Sequence, residues 1–315
     1  MLWAGGLTTN NDYTPYVEAV IDFATSVPLL QEWPEIQQVL LRGVSEEPPW
    51  MLALPCISCL AVGGVASRAI PIATTAVALH QAARIIDAIQ DNDDISTIEV
   101  DSQATAIGLS TGLIFAAFHF LGLVETDRQV DRRLLTLFSE ATFHSSQGQH
   151  LSLVQGHESL EAYWRIVISK SGSLFRMSTA GGAAVGTDDQ HLVDALGEYG
   201  SCLGVMLQVI DDCRDILEDS DFAQHRVSLP LLLMAMTHEG EPDAVNAAPA
   251  DYLNSPTHQS LYVALHTAGV PHIISDVLLE WQQRALNSLT PLKRSDAVDA
   301  LECIARDVLA SHSRN

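Results

Sequence analysis

The chain has 315 residues, 47% hydrophobic and 17% charged, which excludes a disordered polymer and suits one large domain or two ordinary ones. Its 39 acids against 16 bases give a formal net charge of -23, which argues against nucleic acid and against anionic membrane surfaces as partners. An anionic small substrate must therefore be captured by metal ions or by a few placed bases.

The N-terminus, MLWAGGLTTNNDYTP, has neither a basic segment nor a sustained apolar core, so no signal peptide is read there and a cytoplasmic location is expected. Helical periodicity predicts helices over 14–31, 34–43 and 49–62. The third contains Cys56 and Cys59 in LALPCISCLAVGG. A C-x-x-C can mark zinc or redox chemistry, but this setting is apolar and offers no second ligand pair. All five cysteines (with Cys202, Cys213 and Cys303) read as reduced packing residues.

The next helix, 69–91, ends in ALHQAARIIDAIQDNDD. Asp87 and Asp91 are four residues apart, so their carboxylates project from one face. At a helix C-terminus the dipole disfavours such clustering, and the simpler reading is a solvated helix end. A helix over 103–124 follows, uncharged for nineteen residues from Ala106 to Val124. That is near a membrane span in length. Ser110, Thr111, His119, the glycines and the missing basic flank point instead to a central helix buried on all sides, with no integral membrane span.

Further helices are expected over 129–146, 158–184 and 189–218, the last containing LQVIDDCRDI. Asp211 and Asp215 are again four apart, with Asp212 beside them and Gln208 one turn earlier. The preceding LGVMLQVI is too apolar for an exposed face, so buried acids here need a compensating charge. Helices over 226–238, 258–267, 271–289 and 295–312 complete the pattern, around a long loop from His238 to Pro256. With no alternating strand and no repeat, residues 1–315 read as a single all-α domain. Two helices aiming paired carboxylates into one cavity would make a hard-cation site suited to Mg²⁺ and hence to a diphosphate.

These residues carry a resemblance. LQVIDDCRD resembles the second aspartate-rich motif of the trans-isoprenyl diphosphate synthases (the polyprenyl synthetase family), and LHQAARIIDAIQD resembles the first. GGVASRAIP resembles the family's glycine-glycine-lysine-x-x-arginine segment, GQHLSL the segment between the motifs, KSGSLF the lysine-threonine element, and HRVSLPLLL the basic stretch after the second motif. The order is right from Gly63 to about Leu231. The resemblance implies a class I isoprenoid synthase helical bundle with a central cavity, working as a homodimer. It implies Asp87, Asp91, Asp211, Asp212 and Asp215 as ligands of Mg²⁺, three ions with substrate bound. Lys170, Arg226 and Gln208 would serve an allylic isoprenyl diphosphate, and Arg68 and His80 the second substrate, isopentenyl diphosphate. Ala82 and Ala83 would floor the chain-length pocket, and their small size favours a C15 or longer chain.

The departures are uneven. The family's lysine after the glycine pair is Val65, its paired arginines fall on STIE, and the middle aspartate of the first motif is Ala88. Its acid in the GQ segment is Ser152, and LEDSDFAQH offers no lysine. The bases lost belong mostly to the isopentenyl side, where a diphosphate needs several cationic donors. The expectation is therefore a terpene synthase on a prenyltransferase scaffold, which ionises one allylic diphosphate and cyclises, rearranges or quenches the cation. The alternatives are an elongating synthase that also uses isopentenyl diphosphate, and a non-catalytic partner subunit.

Overall fold

The structure, a computed structural model, describes residues 12–91, 102–154, 159–218, 228–237 and 258–312; among them there is no strand. Proline sets the rhythm of the first helices. The expected helix over 14–31 divides into α1 (Thr14–Ser26) and α2 (Pro28–Gln31), with Val27 extended between them at ψ 116°. Pro28 imposes that break, because its ring disfavours helical geometry in the preceding residue. α3 (Pro34–Glu46) and α4 (Pro49–Ala61) also start on proline, whose missing N–H costs nothing in a first turn.

Gly63, at φ 87°, closes α4 in the left-handed conformation that glycine alone adopts freely. A 3₁₀ turn (Ala66–Ala69) then leads into α5 (Ile70–Asp91). α6 (Gln103–Leu121) starts on Ser102, whose side chain accepts from the Thr105 N–H. α7 (Arg128–Val154) runs past the expected end at 146. The single helix expected over 158–184 is three pieces: α8 (Leu160–Val167), a π-helical turn (Ile168–Gly172) and α9 (Ser173–Ala184). α10 (Gln190–Glu218), α11 (Leu229–Thr237), α12 (His258–Thr267), α13 (Val270–Ser288) and α14 (Asp296–His312) follow.

α9 and α10 pack along each other at the centre, with α4 and α7 against α9 and α13 against α10. α5 lies against α1, α3, α4, α6 and α9. Trp50, Phe120, Phe138, Tyr163 and Tyr199 are fully buried, and Tyr199 Oη donates to the Leu301 carbonyl at 2.6 Å, tying α10 to α14. By length and composition two helical stretches could cross a membrane, Ala66–Gln90 and Gln103–Leu121, with 72% and 44% of their apolar windows buried inside the fold. α6 is thus not buried on all sides as expected. It packs on α5 and α3 through one face, and its other face, with Ile107 and Phe115, is exposed and uncharged.

Candidate active site

Asp87 sits near the C-terminal end of α5 and is one-third exposed. Lys170 Nζ, from the π-helical turn, donates to both its oxygens at 2.9 and 3.1 Å. The turn matters because the wider coil rotates Lys170 out of the register of a straight helix, a device found often at functional sites. Gly148 of α7 permits the turn's position: a Cβ there would lie 2.6 Å from the Lys170 backbone nitrogen.

Asp212, on α10, is held from three sides. Tyr163 Oη (α8) donates to Oδ2 at 2.7 Å, the Leu229 N–H (start of α11) to the same oxygen at 3.3 Å, and Gln208 Nε2 to Oδ1 at 3.0 Å. Ser171, next to Lys170, donates in turn to Gln208 Oε1 at 2.6 Å. Burial pushes the Asp212 carboxyl up; the donors Tyr163, Gln208 and Leu229 and the charge of Lys170 pull it back. Lys170 therefore acts on acids of both helices, hydrogen-bonded to Asp87 and felt by Asp212. Burial first, and the Asp212 charge second, push the Tyr163 phenol well above its usual range, so it remains a donor.

Asp211, one residue earlier, accepts from Arg214 Nη1 at 3.1 Å and keeps 41% of its side chain exposed. Crowding by protein raises its carboxyl to about 6; Asp212 adds to the rise, while Arg214 and His80 oppose it. His80, two turns before Asp87 on α5, is thereby placed on the same side as Asp211. Asp215 lies one further turn along α10, half-buried. Ala82 is buried in the core and Ala83 half-buried on α5. The side chain of Asp91, and all of Arg226, lie outside the described residues, as does STIE.

Arg68 is not brought to this site. It lies in the turn before α5, about 28 Å along the axis from Asp87, and donates weakly to the Glu125 carbonyl at 3.4 Å. The glycine pair before it is a helix stop, and Val65 is a 62%-exposed loop residue. His80 instead meets acids of α3: its Nδ1 is 3.0 Å from Glu47 Oε1. Sequence reasoning missed Glu47, Tyr163, Arg214 and Ser171. Tyr163 carried one legible signal, two helical turns before Lys170, and Arg214 another, one turn after Asp211 on the same helix; Glu47 and Ser171 had none.

The donor set of Asp87, Asp211 and Asp212 is oxygen only. Such donors fit a hard divalent cation rather than a soft one. Among the described residues no three ligands are already drawn together, because each acid holds a donor of the chain itself.

The polyprenyl synthetase family model matches residues 51–245. A short chain isoprenyl diphosphate synthase of Methanothermobacter thermautotrophicus is 26% identical over 279 residues, covering 82% of this chain and 84% of the relative. A geranylgeranyl pyrophosphate synthetase from Pyrococcus horikoshii superposes with a TM-score of 0.78 at 19% identity, over 94% of this chain and 97% of that one. A polyprenyl synthase from Caulobacter crescentus, solved with calcium and isoprenyl diphosphate, superposes at 0.79 and 18% identity, over 95% and 94%. At such identities the solved structures carry the fold alone.

Proposed function

We propose that this chain, which belongs to the polyprenyl synthetase family, is a trans-prenyl diphosphate synthase joining an allylic isoprenyl diphosphate to isopentenyl diphosphate. The observation that carries this reading is the Lys170 ammonium, hydrogen-bonded to Asp87 of α5 and felt by Asp212 of α10, so that one cation serves two facing acidic helices. The relative named above makes isoprenyl diphosphates, which supports elongation over the cyclisation expected from the sequence; for cyclisation the comparisons give no support.

In this reading Asp87, Asp91, Asp211 and Asp215 hold Mg²⁺, which when bound supplies Lewis-acid charge to the departing diphosphate. Asp212, with both oxygens taken by the chain's own donors, anchors the helices instead. Lys170 exchanges Asp87 for a diphosphate oxygen, a charge-assisted bond. Arg226 and Gln208 complete the allylic subsite. Apolar walls exclude water from the allylic cation. The small Ala82 and Ala83 support an allylic chain of C15 or longer. The open, uncharged face of α6, with Leu135 and Phe143 exposed on α7, supports a homodimer. The five cysteines, all unpaired in the structure, support a cytoplasmic setting.

A second reading, ionisation of the allylic diphosphate alone, is favoured by the position of Arg68, which leaves only His80 of the two expected isopentenyl contacts near the acids. One assay separates the two. Purified protein with Mg²⁺ and geranyl, farnesyl or geranylgeranyl diphosphate is incubated with and without isopentenyl diphosphate. Longer diphosphates formed only with both substrates support elongation; hydrocarbon or alcohol from one substrate alone supports ionisation. No turnover in any mixture supports the non-catalytic subunit.

A further inference from the structure

The acidic run of α10, DDCRD, contains a base: Arg214 stands three residues after Asp211 and one before Asp215. Viewed down the helix, Asp212 lies about 100° to one side of Asp211 and Arg214 about 60° to the other. The two flanks are built differently. On the first, Asp212 is closed off by Tyr163, Gln208 and the Leu229 N–H. On the second, Arg214 Nη1 donates to Asp211 Oδ1 at 3.1 Å, and the arginine side chain is only 19% exposed. A guanidinium carries several N–H donors in one rigid plane. Among the described residues Arg214 hydrogen-bonds to Asp211 alone, so most of its fork is uncommitted. A mostly buried guanidinium with spare donors is costly unless something accepts from them. The Asp211 carboxyl also feels the charge of His80 on α5, which puts the Arg214–Asp211 pair on the side of α10 that faces α5. The pull of Lys170, bonded to Asp87, on the neighbouring Asp212 points the same way.

We infer that Arg214 is a diphosphate-binding residue: with Nη1 anchored on Asp211, its remaining N–H groups donate to the diphosphate oxygens of the allylic substrate. The assignment rests on the reading of this cavity as a diphosphate site, and it serves elongation and ionisation alike. Other cations are scarce along this stretch. The segment LEDSDFAQH, shortly after Arg214, has three acids and no lysine or arginine, and Lys170 spends its ammonium on Asp87. A planar fork binds two oxygens of an anion at once, and one already held in place loses little freedom on meeting a ligand. Asp211 Oδ2 accepts no hydrogen bond among the described residues, so the same carboxylate holds the fork through Oδ1 and keeps its other oxygen for a metal ion. A guanidinium that merely neutralised Asp211 would instead compete with the metal, and its removal would tighten diphosphate binding.

Inorganic diphosphate with Mg²⁺ probes the site by calorimetry on the full chain, without turnover. Arg214→Gln is expected to weaken its binding about tenfold, about 1.4 kcal/mol. Arg214→Lys, which keeps the charge and loses the fork, is expected to fall between Arg214→Gln and wild type. Arg284→Gln removes the same charge from α13, where the arginine pairs with Glu198, and should stay within about twofold of wild type. A role confined to packing would lower the melting temperature and leave diphosphate affinity unchanged. Unchanged or tighter binding by Arg214→Gln, or an equal loss in Arg284→Gln, overturns the inference. So does a wild type that binds no diphosphate, which would remove the reading of the site as well. A wild type with Arg214-dependent binding that turns over no allylic diphosphate would remove the activity reading alone. If Arg214→Gln does not fold, Arg214→Lys decides, with a loss of about threefold expected and unchanged binding counting against the inference.

Discussion

Asp211 and Asp212 are neighbours in sequence with different surroundings. Asp212 is pinned by Tyr163, Gln208 and the Leu229 N–H, whereas Asp211 accepts from Arg214 and keeps a partly open side chain. The Asp211 carboxyl in the metal-free protein is raised from 3.8 to about 6, which fixes the sign of its contribution to stability. An acid with a raised folded value stabilises below its unfolded value and loses that contribution as pH rises through the folded one. Metal-free wild type should therefore lose stability relative to Asp211→Asn between pH 3.8 and about 6, measured by urea titration at each pH. A difference that is flat over this window, or of opposite sign, would show that Asp211 is not held against burial. Tyr163→Phe removes the shortest donor to Asp212 and should cost about 1.5–3 kcal/mol in denaturant midpoint analysis. A cost near zero would mean that Gln208 and Leu229 suffice. The two-aspartate spacing was readable because a helix repeats every turn. Which aspartate stays open depends on a backbone N–H 17 residues away and a phenol 49 residues away in sequence, which no local pattern reveals.

At the scale of elements, helix existence was legible almost throughout, since apolar periodicity and proline starts are local. The errors came where a local signal had another use. The glycine pair at 63–64 resembled an anion-binding segment, but Gly63 ends α4 in a left-handed turn, and the residue that meets His80 comes from α3. The apolar run of α6 suggested full burial, yet an uncharged helix can leave one face exposed, as Ile107 and Phe115 do here. The π-helical turn at Ile168–Gly172 was hidden within a continuous helical pattern, and it is what aims Lys170 at Asp87. Gly148→Ala tests that element. Alanine favours a helix by about 1 kcal/mol over glycine. Here its Cβ meets backbone at 2.6 Å, so overpacking should win by about 1–3 kcal/mol. A lower melting temperature together with weaker allylic substrate binding is expected; a higher melting temperature would deny the close approach.

The whole molecule is acidic, so the anion binding proposed for it requires cations concentrated at the site. Lys170 and Arg214 lie beside Asp87 of α5 and Asp211 of α10, His80 and Arg84 beside Glu46 and Glu47 at the end of α3, and the remaining surface gives no attraction at a net charge of -23. In the proposed homodimer a second copy covers the uncharged outer face of α6. Light scattering is expected to give the mass of two chains for wild type and of one for Phe115→Glu; a wild-type monomer would remove the dimer. The direct test of elongation is incorporation of labelled isopentenyl diphosphate into farnesyl diphosphate with Mg²⁺, followed by mass analysis and diphosphate release. Elongation predicts a labelled isoprenyl diphosphate at least one C5 unit longer, one diphosphate released per unit added, and neither after chelation of the metal. Diphosphate release from farnesyl diphosphate alone, with no label in any product, would contradict it.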